Sequence, residues 1–315
     1  MRPLAIGIDL GGTQIRGALV DATGAILART TRLTPALDGA DAVVARMAEV
    51  AREIAAAAGG ADILGIGLSA PGPLDAARGI ALATPTIAGF TDFPVSARLG
   101  AATGLPVILE NDGIAAAIGE WRFGAGRGLA NMVYVTISTG IGGGIVVDGR
   151  ILHGRRGMAG HIGHMTIERG GALCACGNRG CFEAYGSGTA FLARARARVA
   201  DRTDTILSRG DGPPSGADIF AAARSGDALA RELVDEEAEI IGIGFANLLH
   251  LYSPDTIVVG GGMSNAFADL APGLLAAMRR AALAPFADVP VVVAALGDNS
   301  GLVGAGALVF ETTAG

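Results

Sequence analysis

All three cysteines of the chain fall in one short segment, Cys174-Ala175-Cys176-Gly177-Asn178-Arg179-Gly180-Cys181, and two of its four histidines, His161 and His164, stand just ahead of it. The C-x-C-x4-C spacing, with His164 ten positions before Cys174, offers three soft thiolates and one imidazole, the donor set of a tetrahedral zinc site. Four protein ligands close the coordination shell, so zinc held by His164, Cys174, Cys176 and Cys181 shapes the loop and leaves no open position for chemistry. Idle thiols or a disulfide are the other readings, and an odd number of cysteines fits a disulfide framework badly. A polar, glycine-rich stretch cannot build a hydrophobic core, and a metal substitutes for one.

At 315 residues the chain is long enough for about two domains. Half of its residues are apolar and 17% are charged, the balance of a globular protein. Every one of the 24 basic residues is Arg. The lack of Lys excludes a Schiff-base lysine and the lysine of a Walker-type phosphate loop. A net charge of −6 argues against a nucleic-acid surface. No apolar run has the length of a membrane span, and Asp9 interrupts the first one before a signal segment forms. With its thiols assigned to a metal, the chain is expected in the cytoplasm.

Leu4–Leu10 reads as a buried strand, followed by Gly11-Gly12-Thr13, a strand over 15–20, a turn at Asp21–Gly24 and a third strand over 25–30. Asp38 or Asp41 is positioned to cap a helix running to about Ala58. A strand over 63–69 stops at Ala70-Pro71-Gly72-Pro73. After a long loop, a short strand ends in Glu110-Asn111-Asp112 and a helix follows. Asp112 therefore stands at the carboxyl end of a sheet strand, where open α/β sheets bind ligands, and also where a helix cap is needed. A strand over 132–138, the turn Thr139-Gly140-Ile141-Gly142-Gly143-Gly144 and a partner strand repeat the opening pattern, which points to a duplicated hairpin heading each of two facing domains. Helices are expected over 182–200, 216–225 and 229–251, then a strand into Gly260-Gly261-Gly262, a helix over 264–282, a short strand over 291–293 and a closing helix over 302–310. The Arg-rich run over 193–202 reads as a solvated helix face. The whole is α/β with mostly parallel sheets.

Three glycine-rich turns after strands suit a nucleotide, because glycine lets backbone N–H groups reach phosphate oxygens. A Rossmann fingerprint fails, since Gly65-x-Gly67-x-x-Ala70 runs into Pro71.

Asp9-Leu10-Gly11-Gly12-Thr13, Ala70–Pro73, Glu110-Asn111-Asp112, Ser138–Gly144, the cysteine stretch through Glu183 and Val258–Gly262 together resemble the ROK family of bacterial sugar kinases and sugar-responsive repressors, nearly end to end. The resemblance implies an actin/hexokinase-like (ribonuclease H-like) two-domain fold with a cleft and a zinc-bound loop. The expected division is a small N-terminal domain over 1–112, completed by a C-terminal helix over about 301–315, and a larger domain over 113–300. It implies ATP and Mg²⁺ as cofactors beside structural Zn²⁺, a hexose or N-acetylhexosamine as acceptor, no nucleic-acid or membrane partner, and a homodimer. Carried over by position, Asp112 is the general base for the sugar 6-hydroxyl, and Asn111, His161, His164, Glu183 and Gly72 contact the sugar. Asp9 helps hold Mg²⁺, Gly11, Gly12, Thr13, Thr139 and Gly140 cradle phosphates, and Gly261 and Gly262 lie near the nucleoside.

The run Ala159-Gly160-His161-Ile162-Gly163-His164 resembles that of the family's N-acetylmannosamine kinases, where its glucokinase-like members carry Glu in place of His161. An imidazole can donate to an acetamido carbonyl where a carboxylate only accepts. N-acetyl-D-mannosamine is therefore the expected acceptor, with glucose or another hexose as the alternative. Pro85-Thr86, Phe90 and Gln14 depart from the family's usual Asn, Trp and Lys. A sugar-sensing repressor is the reading from another class, and the start of the first strand at residue 4 and the acidic balance argue against it.

Overall fold

The apolar run Leu4–Leu10 forms β1, which pairs antiparallel with β2 (Gln14–Asp21), and β2 pairs antiparallel with β3 (Ile26–Leu33). The structure, a computed structural model, describes residues 3–313 apart from Pro85, Asp201, Gly210 and Asp211. Helix α1 (Ala40–Ala56) carries the chain to β4 (Ile63–Ala70), parallel to β1. Gly39 is its N-cap without a side-chain bond, so neither Asp38 nor Asp41 caps it; Asp41 instead pairs with Arg98 at 2.5 Å. The stretch read as a long loop contains a small sheet of β5 (Leu74–Asp75), β6 (Ile80–Ala83) and β7 (Thr91–Phe93), strands too short for periodicity to register. The Pro85 departure lies outside the described residues. Helix α2 (Val95–Thr103) leads to β8 (Val107–Asn111), parallel to β4, and α3 (Asp112–Phe123) follows at once.

The second series runs β9 (Met132–Ile137), β10 (Ile141–Val147), β11 (Arg150–Ile151), α4 (Glu183–Gly186), α5 (Gly188–Val199), α6 (Gly216–Arg224), α7 (Ala228–Tyr252), β12 (Thr256–Gly260), α8 (Phe267–Ala281), β13 (Val291–Val293) and α9 (Ser300–Thr313). The strand orders are β3-β2-β1-β4-β8 and β11-β10-β9-β12-β13. Each is a meander followed by two further strands, so the duplicated hairpin seen in the sequence is a duplicated sheet topology.

Two compact units result. One comprises Met1–Tyr134, Gly143–Gly160 and Ala294–Gly315, the other Val135–Gly142 and His161–Val293. This division keeps α3 with the N-terminal strands, where the expected boundary at 112/113 detaches it. The reason is the contact of α3 with α9. A Cβ on Gly304 of α9 would lie 1.7 Å from the carbonyl oxygen of Ala115 in α3.

In the first unit Ile6, Ile8, Ile66 and Leu68 pack with Met47 and Ile54 of α1 on one sheet face. The other face receives α9 at backbone distance: a Cβ on Gly7 would lie 2.2 Å from the Leu302 carbonyl oxygen, and one on Gly67 1.7 Å from that of Ala305. Glu120 of α3, fully buried, accepts from the N–H groups of Ala125 at 2.9 Å, Ala295 at 2.9 Å and Leu296 at 2.8 Å, and from the Ser300 hydroxyl at 2.7 Å. In the second unit the run read as a solvated Arg face is partly inward. Arg194 of α5 bonds the Tyr185 carbonyl and the buried Glu237 of α7, and Arg198 reaches Glu236 at 3.2 Å. Among the described residues no helix is long and apolar enough to cross a membrane.

Because the obstructing atom is backbone in each case, Gly304→Ala and Gly67→Ala should each lower the unfolding free energy by about 3 kcal/mol or more. Urea denaturation of the two variants against the parent measures this, and a change below about 1 kcal/mol would contradict the packing of α9.

Candidate active site

In the first unit, strand register builds a polar row. Asp9 of β1 is the Cα partner of Arg16 on β2 and of Ser69 on β4, and Ser69 is the partner of Glu110 on β8. Partners in register present side chains to one face, so Arg16, Asp9, Ser69 and Glu110 form one line across four strands. Arg16 Nε donates to Asp9 Oδ2 at 3.1 Å, and the Ser69 hydroxyl to Asp9 Oδ1 at 2.9 Å. Arg16 also donates to the Asp298 carbonyl at 2.8 Å. A carboxylate fixed on both sides suits Mg²⁺, which takes one or two protein carboxylates and fills its shell with water and phosphate.

The turn after β1 is closed by the Gly11 N–H on the Gln14 carbonyl at 2.9 Å, and Gly12 and Thr13 are exposed. Gly72 precedes Pro73 through a cis peptide bond, and the Thr84 hydroxyl donates to the Pro71 carbonyl at 3.3 Å. Where β8 becomes α3, Asn111 is the N-cap, its Oδ1 accepting from the Gly113 N–H at 3.0 Å. Asp112 is thus freed from the capping position and is the first helical residue, with Oδ1 at 2.8 Å from the Gly113 N–H. Its side chain keeps an open surface, yet the surrounding protein desolvates it enough to push its carboxyl up to about 6, against the pull of the Gly113 N–H and with the charge of Asp9 adding to the rise. The helix can begin here because Gly113 has no side chain: a Cβ would lie 2.7 Å from the Gly143 backbone.

In the second unit His164, Cys174, Cys176 and Cys181 offer ligand atoms that all lie within 4.8 Å of one another. Cys174 Sγ is 3.8 Å from His164 Nδ1, and Cys176 Sγ is 3.7 Å from Cys181 Sγ. Zn–S bonds of about 2.3 Å at tetrahedral angles require ligand separations of about 3.8 Å, so the cluster fits zinc. The loop is shaped by a Thr166–Cys181 bridge and by Gly180, with φ of 83° and a missing Cβ that would meet the Glu168 carbonyl. Glu183 follows it, accepting the Ile141 N–H at 2.9 Å through Oε2 and lying 3.8 Å from Cys174 Sγ through Oε1. Gly140 is required beside it, because a Cβ there would sit 2.5 Å from Glu183 Oε2. His161 is exposed at its surface, its ring centroid 6.2 Å from that of His164, and partial desolvation followed by the neighbouring imidazole lowers its pKa, which favours the neutral ring.

A cavity of about 450 Å³ in the same unit is lined by Thr139, Thr189, Phe220, Arg224, Gly262 and Asn265, among others, a size that suits a nucleoside. Gly262 faces it. Gly261 instead supports the wall, with φ of 80° and a Cβ position 2.5 Å from the Ile137 carbonyl. The helix expected over 182–200 is broken at Ser187, whose side chain caps α5 and places Gly188 and Thr189 on the cavity. A helix N-terminus is a favourable anion site. Ser187-Gly188-Thr189 carried that signal in the sequence; Phe220, Arg224 and Asn265 carried none.

A model of the ROK family matches residues 5–312. The chain belongs to the ROK family. A glucokinase of Halalkalibacterium halodurans is 38% identical over 313 residues, covering 97% of this chain and 94% of that one. An N-acetylmannosamine kinase of Yersinia pseudotuberculosis is 33% identical over 300 residues, covering 95% and 96%. Among solved structures, a ROK family glucokinase from Streptomyces griseus in complex with glucose and AMPPNP superposes with a TM-score of 0.84 at 35% identity, covering 98% of this chain and 99% of that one. The fold of this ROK protein is therefore the actin/hexokinase-like α/β fold.

Elemental analysis of purified protein is expected to find about one zinc per chain, and Cys181→Ser, which removes a buried ligand, to abolish it. Zinc content unchanged in Cys181→Ser would remove that residue from the ligand set.

Proposed function

We propose that this ROK sugar kinase transfers the γ-phosphoryl group of ATP to the 6-hydroxyl of N-acetyl-D-mannosamine, with Asp112 as general base. The observation that carries the reading is the Asp112 carboxyl, held open at the start of α3 with its pKa raised to about 6. A base tuned near the working pH combines the deprotonated state with a useful proton affinity. Asp112 takes the proton of the 6-hydroxyl as that oxygen bonds to the γ-phosphorus; the bridging bond to the β-phosphate breaks and ADP leaves. Asp9 would hold Mg²⁺, which would supply neutralisation of charge on the phosphate oxygens. The rest of the reaction asks for alignment, which Asn111 supplies by fixing the helix start and the N-terminus of α5 by offering amides to phosphate. The 450 Å³ cavity takes the nucleoside, a reading supported by the AMPPNP complex of the Streptomyces griseus relative.

The acceptor rests on His161. A neutral imidazole donates one hydrogen bond, which suits an acetamido carbonyl, and a site built to bond that group penalises sugars without it. Glucose is the second reading, favoured by the higher identity of the glucokinase relative, 38% against 33%.

With saturating Mg-ATP, kcat/KM should be highest for N-acetylmannosamine among N-acetylmannosamine, N-acetylglucosamine, glucose, mannose and fructose. A preference for glucose would keep the chemistry and discard the role of His161. Asp112→Asn should cost on the order of 10²-fold or more in kcat. Since the base acts deprotonated, kcat/KM of the parent should rise with pH through about 6 on a single ionisation and level off above it. A flat profile from pH 5 to 8, a window spanning about one unit below and two above that value, would count against Asp112.

A further inference from the structure

Glu110 is not needed by the reaction as described, yet it is 3% exposed and carries a carboxyl group one residue before the Asn111-Asp112 pair. Its two oxygens are divided between different partners. Oε1 accepts the N–H of Asn111 at 2.8 Å, the peptide group that sets the direction of the chain as β8 turns into α3. Oε2 lies 2.9 Å from Nε2 of His153. His153 is half exposed, with 51% of its side chain accessible, but its backbone is fixed: its carbonyl accepts the Ala159 N–H at 3.0 Å, and Leu152 before it is bonded to Ile145 at 2.8 Å. A buried carboxyl group is costly unless both oxygens are satisfied, so the imidazole is what holds Glu110 in place against the Asn111 amide.

From this geometry we infer that His153 is a positioning residue for the phosphoryl-transfer reaction, acting through Glu110 on the Asn111–Asp112 turn. The inference rests on the reading of Asp112 as the general base. Among the described residues the cations on the helices packed against β8, Arg98 of α2 and Arg122 of α3, are engaged elsewhere. Asp75 and Arg78 pair with each other at 3.9 Å, as do Arg98 and Asp41 at 2.5 Å and Arg122 and Glu311 at 2.6 Å. Glu120 is occupied by backbone N–H groups, and Asp9 and Asp112 carry the same charge as Glu110. The hydrogen bond to Glu110 raises the pKa of His153, as a stable imidazolium–carboxylate contact requires.

The test compares His153→Ala, His153→Gln and Asp112→Asn. In His153→Ala the cap loses its anchor, and kcat is expected to fall on the order of 10-fold while KM for ATP stays within about twofold. His153→Gln keeps a neutral donor and should recover most of that loss. Amide exchange at Asn111 and Gly113 should quicken in His153→Ala, a readout independent of turnover. Turnover in His153→Ala within twofold of the parent, beside an inactive Asp112→Asn, would overturn the positioning role alone. An Asp112→Asn enzyme as fast as the parent would overturn the base reading, and this inference with it.

Discussion

The structure of the first unit depends on how closely α9 is allowed to approach. Its carbonyl oxygens occupy the places where side chains of Gly7 and Gly67 would stand, and Gly304 admits α3 in the same way. Helix backbone thus rests on sheet backbone, and the layer is thinner than side-chain packing permits. Such an approach leaves peptide groups without water at the start of α9. Glu120 answers that need, distributing one buried carboxylate over three N–H groups and the Ser300 hydroxyl. No cation is required there, because oriented peptide dipoles supply the compensating partial charge.

That thin layer accounts for where chemistry is possible. The sheet is mixed, antiparallel over β1 to β3 and parallel from β1 through β4 to β8, and not mostly parallel as the alternation of strands and helices suggested; covered on both faces, it buries its side chains, and polar residues are tolerated only near the strand ends. The row Arg16, Asp9, Ser69 and Glu110 occupies that edge, and each member is satisfied by the next partner or by a fixed backbone group. Asp112 lies just past the row and is the member with capacity to spare, since Asn111 has taken over the capping bond. A carboxyl that is desolvated but not fully bonded has its pKa raised, as that of Asp112 is.

Much of this was legible in the sequence, for identifiable reasons. The ligand set His164, Cys174, Cys176 and Cys181 was legible because metal geometry is written in residue type and spacing. The strand ends at Asp9 and Asp112 were legible because apolar runs stop at polar tips. The duplicated hairpin was visible in two glycine turns. What was not legible depends on contacts between distant segments. Nothing local marks Arg194 as a partner of the buried Glu237, so the Arg-rich helix read as solvated. Strands of two to four residues carry no period, and β5 to β7 were taken for a loop. Phe220, Arg224 and Asn265 line the cavity from α6 and the segment after β12, and only the fold brings them together.

The glycines divide along the same line. As a class they suggested phosphate binding, and the structure separates two uses. Gly12 is exposed with only the Thr86 side chain near its Cβ position, at 3.3 Å, and Gly262 lines the cavity with no atom closer than 3.9 Å to its own, so both leave backbone accessible. Gly113, Gly140 and Gly261 are demanded by neighbouring protein atoms closer than 3 Å to a Cβ position. The second use supports the first. Gly140 lets Glu183 reach the Ile141 amide, and Glu183 is held by the segment that follows Cys181, so the cysteine loop fixes the turn carrying Thr139 beside the 450 Å³ cavity. A metal with a closed shell offers no position to a reactant, so what it would contribute at this cluster is the placement of the loop and of the turn bonded to it.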